Sequence, residues 1–429
     1  MNIVMTTLSA LSQAIITPSY ILLVVIMAAV FYRKNRKTAL MQKMIIGESM
    51  ESPFVLTISE IVLGVIGGAI GSIILSYFGI VFKDDSAIFI LFLISIFLMI
   101  LGSRFVCFSY SGAVLGFISL ILRLAALNGI DISEVKYLEV DVTMLMALVA
   151  VLHIIEGLLV MIDGNSGAIP VFTSRGNKIV GGFAFKRYWL LPIAMLFMAN
   201  GSQLTSGPQY LAGDFWNTPI TILKNSALVF GSFFGVLGYS SFTFTKSKRE
   251  KTIYSGINIL GYGVILFLLT ILLRGNLISE FILCALAPIL HEIMLKYQAY
   301  FEIKKYPKYI NSDEGIMILE VAPNSPASEM GIKSGDTIVE LNDTKIVTEE
   351  DVFNTLADVT NFIWLKVKNV QGKLIEVSYK EMNRTKKLGV VFVPKIIPKG
   401  SKIVKVESDS FDSVLEKVKK KQDEDDDEK

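Results

Sequence analysis

Cysteine and histidine are nearly absent from this 429-residue chain, which holds two of each. Cys107 and Cys284 both stand inside apolar runs, so no disulfide framework and no CxxC metal site can be drawn from them. With His153 and His291 alone, a histidine-rich metal site is excluded too. Charged residues make up only 19% of the chain and nearly cancel, leaving a formal net charge of +2. No nucleic-acid partner is expected. No positive charge precedes the first apolar run, and a basic cluster follows it, so a removable signal peptide is not expected.

Apolar sequence is what the chain has in excess: 52% of residues are hydrophobic and the mean hydropathy is +0.55. Runs long enough to span a bilayer occur at about 14–32, 54–82, 87–103, 106–126, 142–162, 188–206, 219–243, 253–273 and 278–297. Basic residues follow the first run (Arg33-Lys34-Asn35-Arg36-Lys37), the fifth (Arg175, Lys178, Lys186, Arg187) and the seventh (Lys246–Lys251). The alternate loops are acidic or neutral, with Asp84-Asp85, then Asp131, Glu134, Glu139 and Asp141, then Asp214. The positive-inside rule then puts the N-terminus outside and the C-terminus in the cytoplasm.

The expected fold is therefore a polytopic α-helical membrane bundle over 1–305, of about nine helices, with a cytoplasmic α+β domain at 310–395. A charged tail, 396–429, sets Lys419-Lys420-Lys421 beside an acidic run and reads as disordered. The segment Thr38–Glu51 is either an amphipathic interfacial helix, through Leu40, Met44 and Ile45, or a linker, and the linker is favoured. Gly64, Gly67, Gly68 and Gly71 in the second run permit close helix approach, for packing first and for self-association second.

The domain at 310–395 is dense in turn chemistry. Ser325-Pro326 reads as an N-cap followed by proline at the first helical position, and Gly331 as a helix stop. Gly335-Asp336 turns the chain into an apolar strand, Thr337–Leu341. Thr348 caps a second helix whose first turn is Glu349, Glu350 and Asp351 and whose apolar stripe is Val352, Phe353 and Leu356. Two further strands, Asn361–Lys368 and Lys373–Tyr379, are joined by Gln371-Gly372. This order of parts, with GI-x-I-x-x-V-x-x-x-SPA-x-x-x-GI-x-x-GD-x-I, resembles a bacterial PDZ domain.

The resemblance implies a module that adds an extended peptide to a sheet edge and does no chemistry of its own. In that family a short Gly-containing loop holds the peptide carboxylate with backbone N–H groups. Lys387-Leu388-Gly389-Val390-Val391-Phe392 resembles such a loop in a permuted arrangement, and Leu388–Val393 can also be read as merely a closing strand. The expected groove is Leu388, Gly389, Val390, Val391 and Phe392 against Val352 and Leu356. Its expected ligand is a peptide or C-terminal segment of a partner protein.

Catalytic and metal-binding motifs are incomplete, so no enzyme, cofactor or metal is expected. His291-Glu292-Ile293-Met294-Leu295 begins like the zinc-protease HExxH but has Leu295 at the second histidine position. Its expected role is a polar pair near Lys296 at the cytoplasmic end of the last span. Asp163-Gly164-Asn165-Ser166-Gly167 resembles a serine-protease nucleophile loop without the barrels that would present it. The expected structure is a hairpin, Val171-Phe172 and Ile179-Val180 flanking a turn at Arg175-Gly176-Asn177. Glu60, Arg123, His153, Glu156, Lys224 and Glu280 are ionisable residues inside runs. His153 and Glu156 share a helix face, and Arg123 is a candidate partner for Glu156.

With a PDZ-like domain after a polytopic bundle, the architecture resembles the MinJ-like proteins of Gram-positive bacteria. Gly167–Phe172, Val180–Phe183 and Tyr188-Trp189-Leu190-Leu191-Pro192 carry the likeness outside the C-terminal domain. The resemblance implies a membrane adaptor at septa and poles that links a curvature-sensing coiled-coil protein to the Min division inhibitor. The alternatives are an accessory subunit of membrane proteolysis and an ion-coupled transporter.

Overall fold

The computed structural model describes residues 3–83, 86–101, 107–175, 178–199, 227–357, 361–382 and 387–395. Asp84-Asp85, Gly176-Asn177, Asp214, Lys224 and the charged tail lie outside the described residues. The N-terminal part is built on α1 (Ile3–Ile15), α2 (Pro18–Ile46), α3 (Pro53–Tyr77), α4 (Ile90–Leu101), α5 (Phe108–Leu127), α6 (Val142–Asp163), α7 (Lys248–Leu272) and α8 (Leu277–Lys304). Among the described residues, five helices are long and apolar enough to cross a membrane: α3, α5, α6 with the turn before it, α7 and α8. The pair α1 and α2, bent by 69°, would make a sixth. Run 14–32 is thus not one helix, because Pro18 begins α2 at a position where its missing N–H costs nothing.

α2 continues to Ile46, where Gly47, left-handed at φ 92°, returns its N–H to the Lys43 carbonyl. Most of the segment favoured as a linker is therefore helix. Asn35, Ala39, Gln42 and Ile46 form its buried face, and Gln42 donates to the Ala168 carbonyl at 2.9 Å.

The largest departure from expectation concerns runs 188–206 and 219–243. They are not helices: their described parts belong to strands β3 (Lys178–Ala199) and β4 (Ala227–Thr243), paired antiparallel from Phe183↔Thr243 to Ala199↔Ala227. β2 (Ile169–Arg175) forms the expected hairpin with the start of β3, and β1 (Val81–Lys83) runs parallel to its end. Trp189, Leu190, Leu191, Ile193 and Met195 of β3 are all buried, so this backbone is enclosed by protein.

One helix closes the flank of β3 that β4 leaves open. Backbone groups of Tyr188, Leu190, Pro192 and Ala194 face α3. Opposite them on α3 stand Glu60, Gly64, Gly68 and Ser72, four residues apart. Glu60 accepts the Tyr188 N–H at 3.2 Å and Ser72 Oγ accepts the Ala194 N–H at 2.9 Å. A Cβ on Gly64 or Gly68 would overlap the carbonyl oxygen of Leu190 or Pro192. The match is geometric, since four helical residues rise about 6 Å and two strand residues about 6.6 Å. Pro192 is tolerated in mid-strand because its absent N–H points at α3 and takes nothing from the ladder to β4. The glycine stripe therefore serves helix-on-strand packing, with Gly67 and Gly71 turned toward Ile155 of α6.

Buried charge joins these elements. Arg187 of β3 meets Asp163 at 2.6 Å and Glu60 at 3.2 Å, and Lys34 reaches Glu60 at 2.6 Å. Asp163, the first residue of the protease-like loop, is thereby engaged, and also accepts from Trp189 Nε1 at 3.0 Å. Arg123 pairs with Glu280 at 2.9 Å, not with Glu156.

The C-terminal domain contains β6 (Ile316–Val321), α9 (Pro326–Glu329), β7 (Thr337–Leu341), β8 (Thr344–Lys345), α10 (Glu349–Ala357), β9 (Ile363–Lys368), β10 (Leu374–Tyr379) and β11 (Val390–Phe392). Its strand order is β10-β9-β7-β6-β11, with β8 beside β7. It is joined to the hairpin through β5 (Tyr309–Ile310), which pairs with Val180 and Gly181, and to the start of α7 through the ion pairs Lys248–Glu320 and Lys308–Glu250.

Candidate peptide-binding groove

β11 is held on one side by β6, with Val390↔Val321, Val391↔Glu320 and, after a register shift between Val391 and Phe392, Phe392↔Ile318. Among the described residues no strand pairs with its other side, which makes it an edge of the sheet. The loop entering it is fixed by two carbonyls: Leu388 accepts from Ala327 N–H at 3.1 Å and Gly389 accepts from Ala322 N–H at 2.7 Å. No hydrogen bond engages the Leu388 or Gly389 N–H among the described residues. Gly389 is left-handed at φ +78°, and a Cβ there would overlap the Ser325 side chain, so the position demands glycine on both counts. The N-cap Ser325 therefore shapes the loop as well as starting α9.

Alternation along β11 separates the expected groove residues. Leu388 and Phe392 are buried in the domain core with Val352, while Val390 and Leu356 pack at its margin, half-exposed. Val391 points the other way and joins Leu319, Ala322 and Val393 in the core shared with the hairpin. Its expected place in the groove is corrected by the period-two geometry of a strand. Val352 is fully buried and supports the groove from beneath, whereas its neighbour Phe353 is 63% exposed. Over 388–393 a closing strand is present, and a left-handed glycine loop leads into it. The groove's neighbour was not legible in sequence: the Lys387 side chain comes within 3.8 Å of the Cβ position of Gly47, at the end of α2.

The start of α10 is secured by a reciprocal cap. Thr348 Oγ1 accepts the Asp351 N–H at 3.3 Å, and Asp351 accepts from Val347 and Thr348 N–H at 2.9 and 2.7 Å. These N–H groups, Val347 first, hold the Asp351 carboxyl below its ordinary value. A lowered carboxyl stabilises the fold above the usual carboxylate range and ceases to as pH falls through it. Thr348→Ala is expected to cost about 1 kcal/mol, and protection from amide exchange over 349–352, relative to the intrinsic rate at each pH, should fall in acid. Unchanged exchange in the variant would remove the cap from the account.

Comparison with known proteins agrees with this geometry. The PDZ domain family model matches residues 306–391. The chain is 28% identical over 232 residues to the cell division topological determinant MinJ of Bacillus subtilis, covering 52% of this chain and 54% of that protein. It is 40% identical over 48 residues to the serine endoprotease DegS of Haemophilus influenzae, covering 11% of this chain and 14% of DegS. The chain thus spans about half the length of MinJ and far less of DegS. A PDZ domain, a peptide-binding module, occupies residues 306–391, and about half of the chain is similar to MinJ.

Proposed function

We propose that this protein is a membrane-anchored PDZ adaptor that recruits division or polar proteins by capturing an extended or C-terminal peptide along β11. The carrying observation is the edge of β11, which no other strand pairs with among the described residues, behind the left-handed Gly389 loop in a domain of the PDZ family. Main-chain bonds along that edge would supply affinity, and the margin formed by Val390 and Leu356 would supply side-chain selectivity. The similarity to MinJ supports the placement in division and the link to the Min system. Confinement to a membrane raises the effective concentration toward membrane-bound partners, so a modest peptide affinity suffices.

The proposed topology keeps the C-terminus in the cytoplasm. Replacing two spans by one hairpin leaves its two ends on the same side, so the basic segments at 175–187 and 246–251 still share a face. Membrane proteolysis as an accessory role has less support, since the likeness to DegS is short.

A fluorescent fusion at native expression should concentrate at septa and poles, and Gly389→Val should abolish partner recruitment while the protein still inserts. Phe353→Ala, at an exposed position, should leave the fold intact and is the control for stability. A uniform membrane signal, or full recruitment by Gly389→Val, would overturn the reading.

A further inference from the structure

Away from the PDZ domain, the two histidines and one of the two cysteines converge. Cys107 precedes α5 as its N-cap, His153 lies mid-way along α6, and His291 lies on α8, one turn beyond Pro288. Cys107 Sγ is 3.0 Å from His153 Nε2 and 3.6 Å from His291 Nε2, and the three donor atoms lie within 4.8 Å of one another. Both imidazoles are buried. We propose that Cys107, His153 and His291 form a binding site for one zinc-class divalent metal ion.

Proton counting supports a cation. His153 Nδ1 stands 2.7 Å from the Val149 carbonyl, which can only accept, so that nitrogen carries the ring proton and Nε2 presents a lone pair to the sulfur. Tyr110 donates its hydroxyl proton to Glu292, and its oxygen stands 3.4 Å from His291 Nδ1 as the acceptor of that ring proton. His291 Nε2 then also presents a lone pair. Both lone pairs converge on the Cys107 sulfur, which carries a single proton. A metal ion engages all three donors at once. In a tetrahedral zinc site, Zn–S of about 2.3 Å and Zn–N of about 2.0–2.1 Å separate sulfur from nitrogen by about 3.6 Å. The spacing to His291 equals that edge, and the spacing to His153 is about 0.6 Å shorter.

The surroundings fit. Val149 and the Tyr110–Glu292 pair orient the rings through the nitrogens that face away from the sulfur, as outer-shell groups do around metal-bound histidine. Tyr262 packs edge-on to both imidazoles, with ring centroids 4.8 and 5.4 Å away, and is fixed by Ser109 at 2.8 Å and the Ala287 carbonyl at 2.9 Å. Glu156 stands one turn beyond His153 on α6. Three protein donors leave a fourth position for water. The site would tie α5, α6 and α8 together.

The test uses the full chain purified in detergent without chelator. Elemental analysis should find one zinc per chain, and loading with Co²⁺ should give thiolate-to-cobalt charge-transfer absorption. Cys107→Ser and His291→Ala should lower zinc content at least tenfold, Tyr110→Phe should weaken affinity about 10-fold, and Cys284→Ser should keep the metal. Cobalt loading of the unaltered protein keeps the test valid if a variant fails to fold. Under a tenth of an equivalent of zinc after incubation with excess zinc, with no cobalt band, would overturn the proposal. So would metal content unchanged in both ligand variants.

Discussion

Replacing Arg187 with methionine is expected to destabilise the protein by about 3–5 kcal/mol, the usual cost of removing one partner from a buried ion pair. Arg187 is 1% exposed and serves two carboxylates at once, Asp163 at 2.6 Å and Glu60 at 3.2 Å. It also donates to Ser59 Oγ at 2.6 Å. Without it Asp163 keeps the Trp189 indole N–H, and Glu60 keeps Lys34, Asn35 and the Tyr188 N–H. Neutral donors do not offset a buried negative charge, so most of the loss falls on Asp163. Removing that charge as well, in Arg187→Met with Asp163→Leu, should recover much of it. Unfolding midpoints of the two single variants and the double should give a coupling above about 2 kcal/mol, little changed by added salt because the groups are dry. Additive costs would show that Arg187 and Asp163 do not act as a pair.

What the sequence disclosed follows from the range of the forces involved. The PDZ region was legible in detail because its cues are local. Ser325 caps, Gly331 stops, and Gly335 and Gly372 turn at positive φ, each within a few residues of the element it controls. The Gly389 loop was legible for the same reason. The outward turn of Val391 was not, because the expectation took consecutive residues without their alternation.

β3 and β4 were misread because a strand with apolar residues on both faces has no period-two signal, and hydropathy alone cannot tell it from a helix. The cues lay in composition. Pro192 interrupts the first run, and Gly231, Gly235 and Gly238 with several phenylalanines fill the second. The Cys107, His153 and His291 cluster left no trace in spacing. Its members are 46 and 184 positions apart by their contacts with Cys107, and only the packing of three helices unites them.

Gly68→Leu is expected to prevent folding, and Gly68→Ala to cost more than about 3 kcal/mol, at the upper end of overpacking penalties. The first added carbon would overlap the Pro192 carbonyl oxygen and press its ring Cδ at 3.1 Å. Neither can yield, because β4 fixes the far side of β3 along Pro192↔Phe234 and its neighbours. Gly71 is the internal control. A Cβ there meets only Ile155 Cγ1, at 3.5 Å, which is ordinary contact. Gly71→Ala should thus be neutral or stabilising by up to about 1 kcal/mol, since alanine is the better helix former. The pair discriminates two architectures from one thermal-unfolding comparison. If run 188–206 were a helix packed on the whole glycine stripe, Gly68 and Gly71 would respond alike. If β3 lies on the face of Glu60, Gly64, Gly68 and Ser72, only the residues at four-residue spacing are intolerant, and equal stability of Gly68→Ala and Gly71→Ala would overturn that packing.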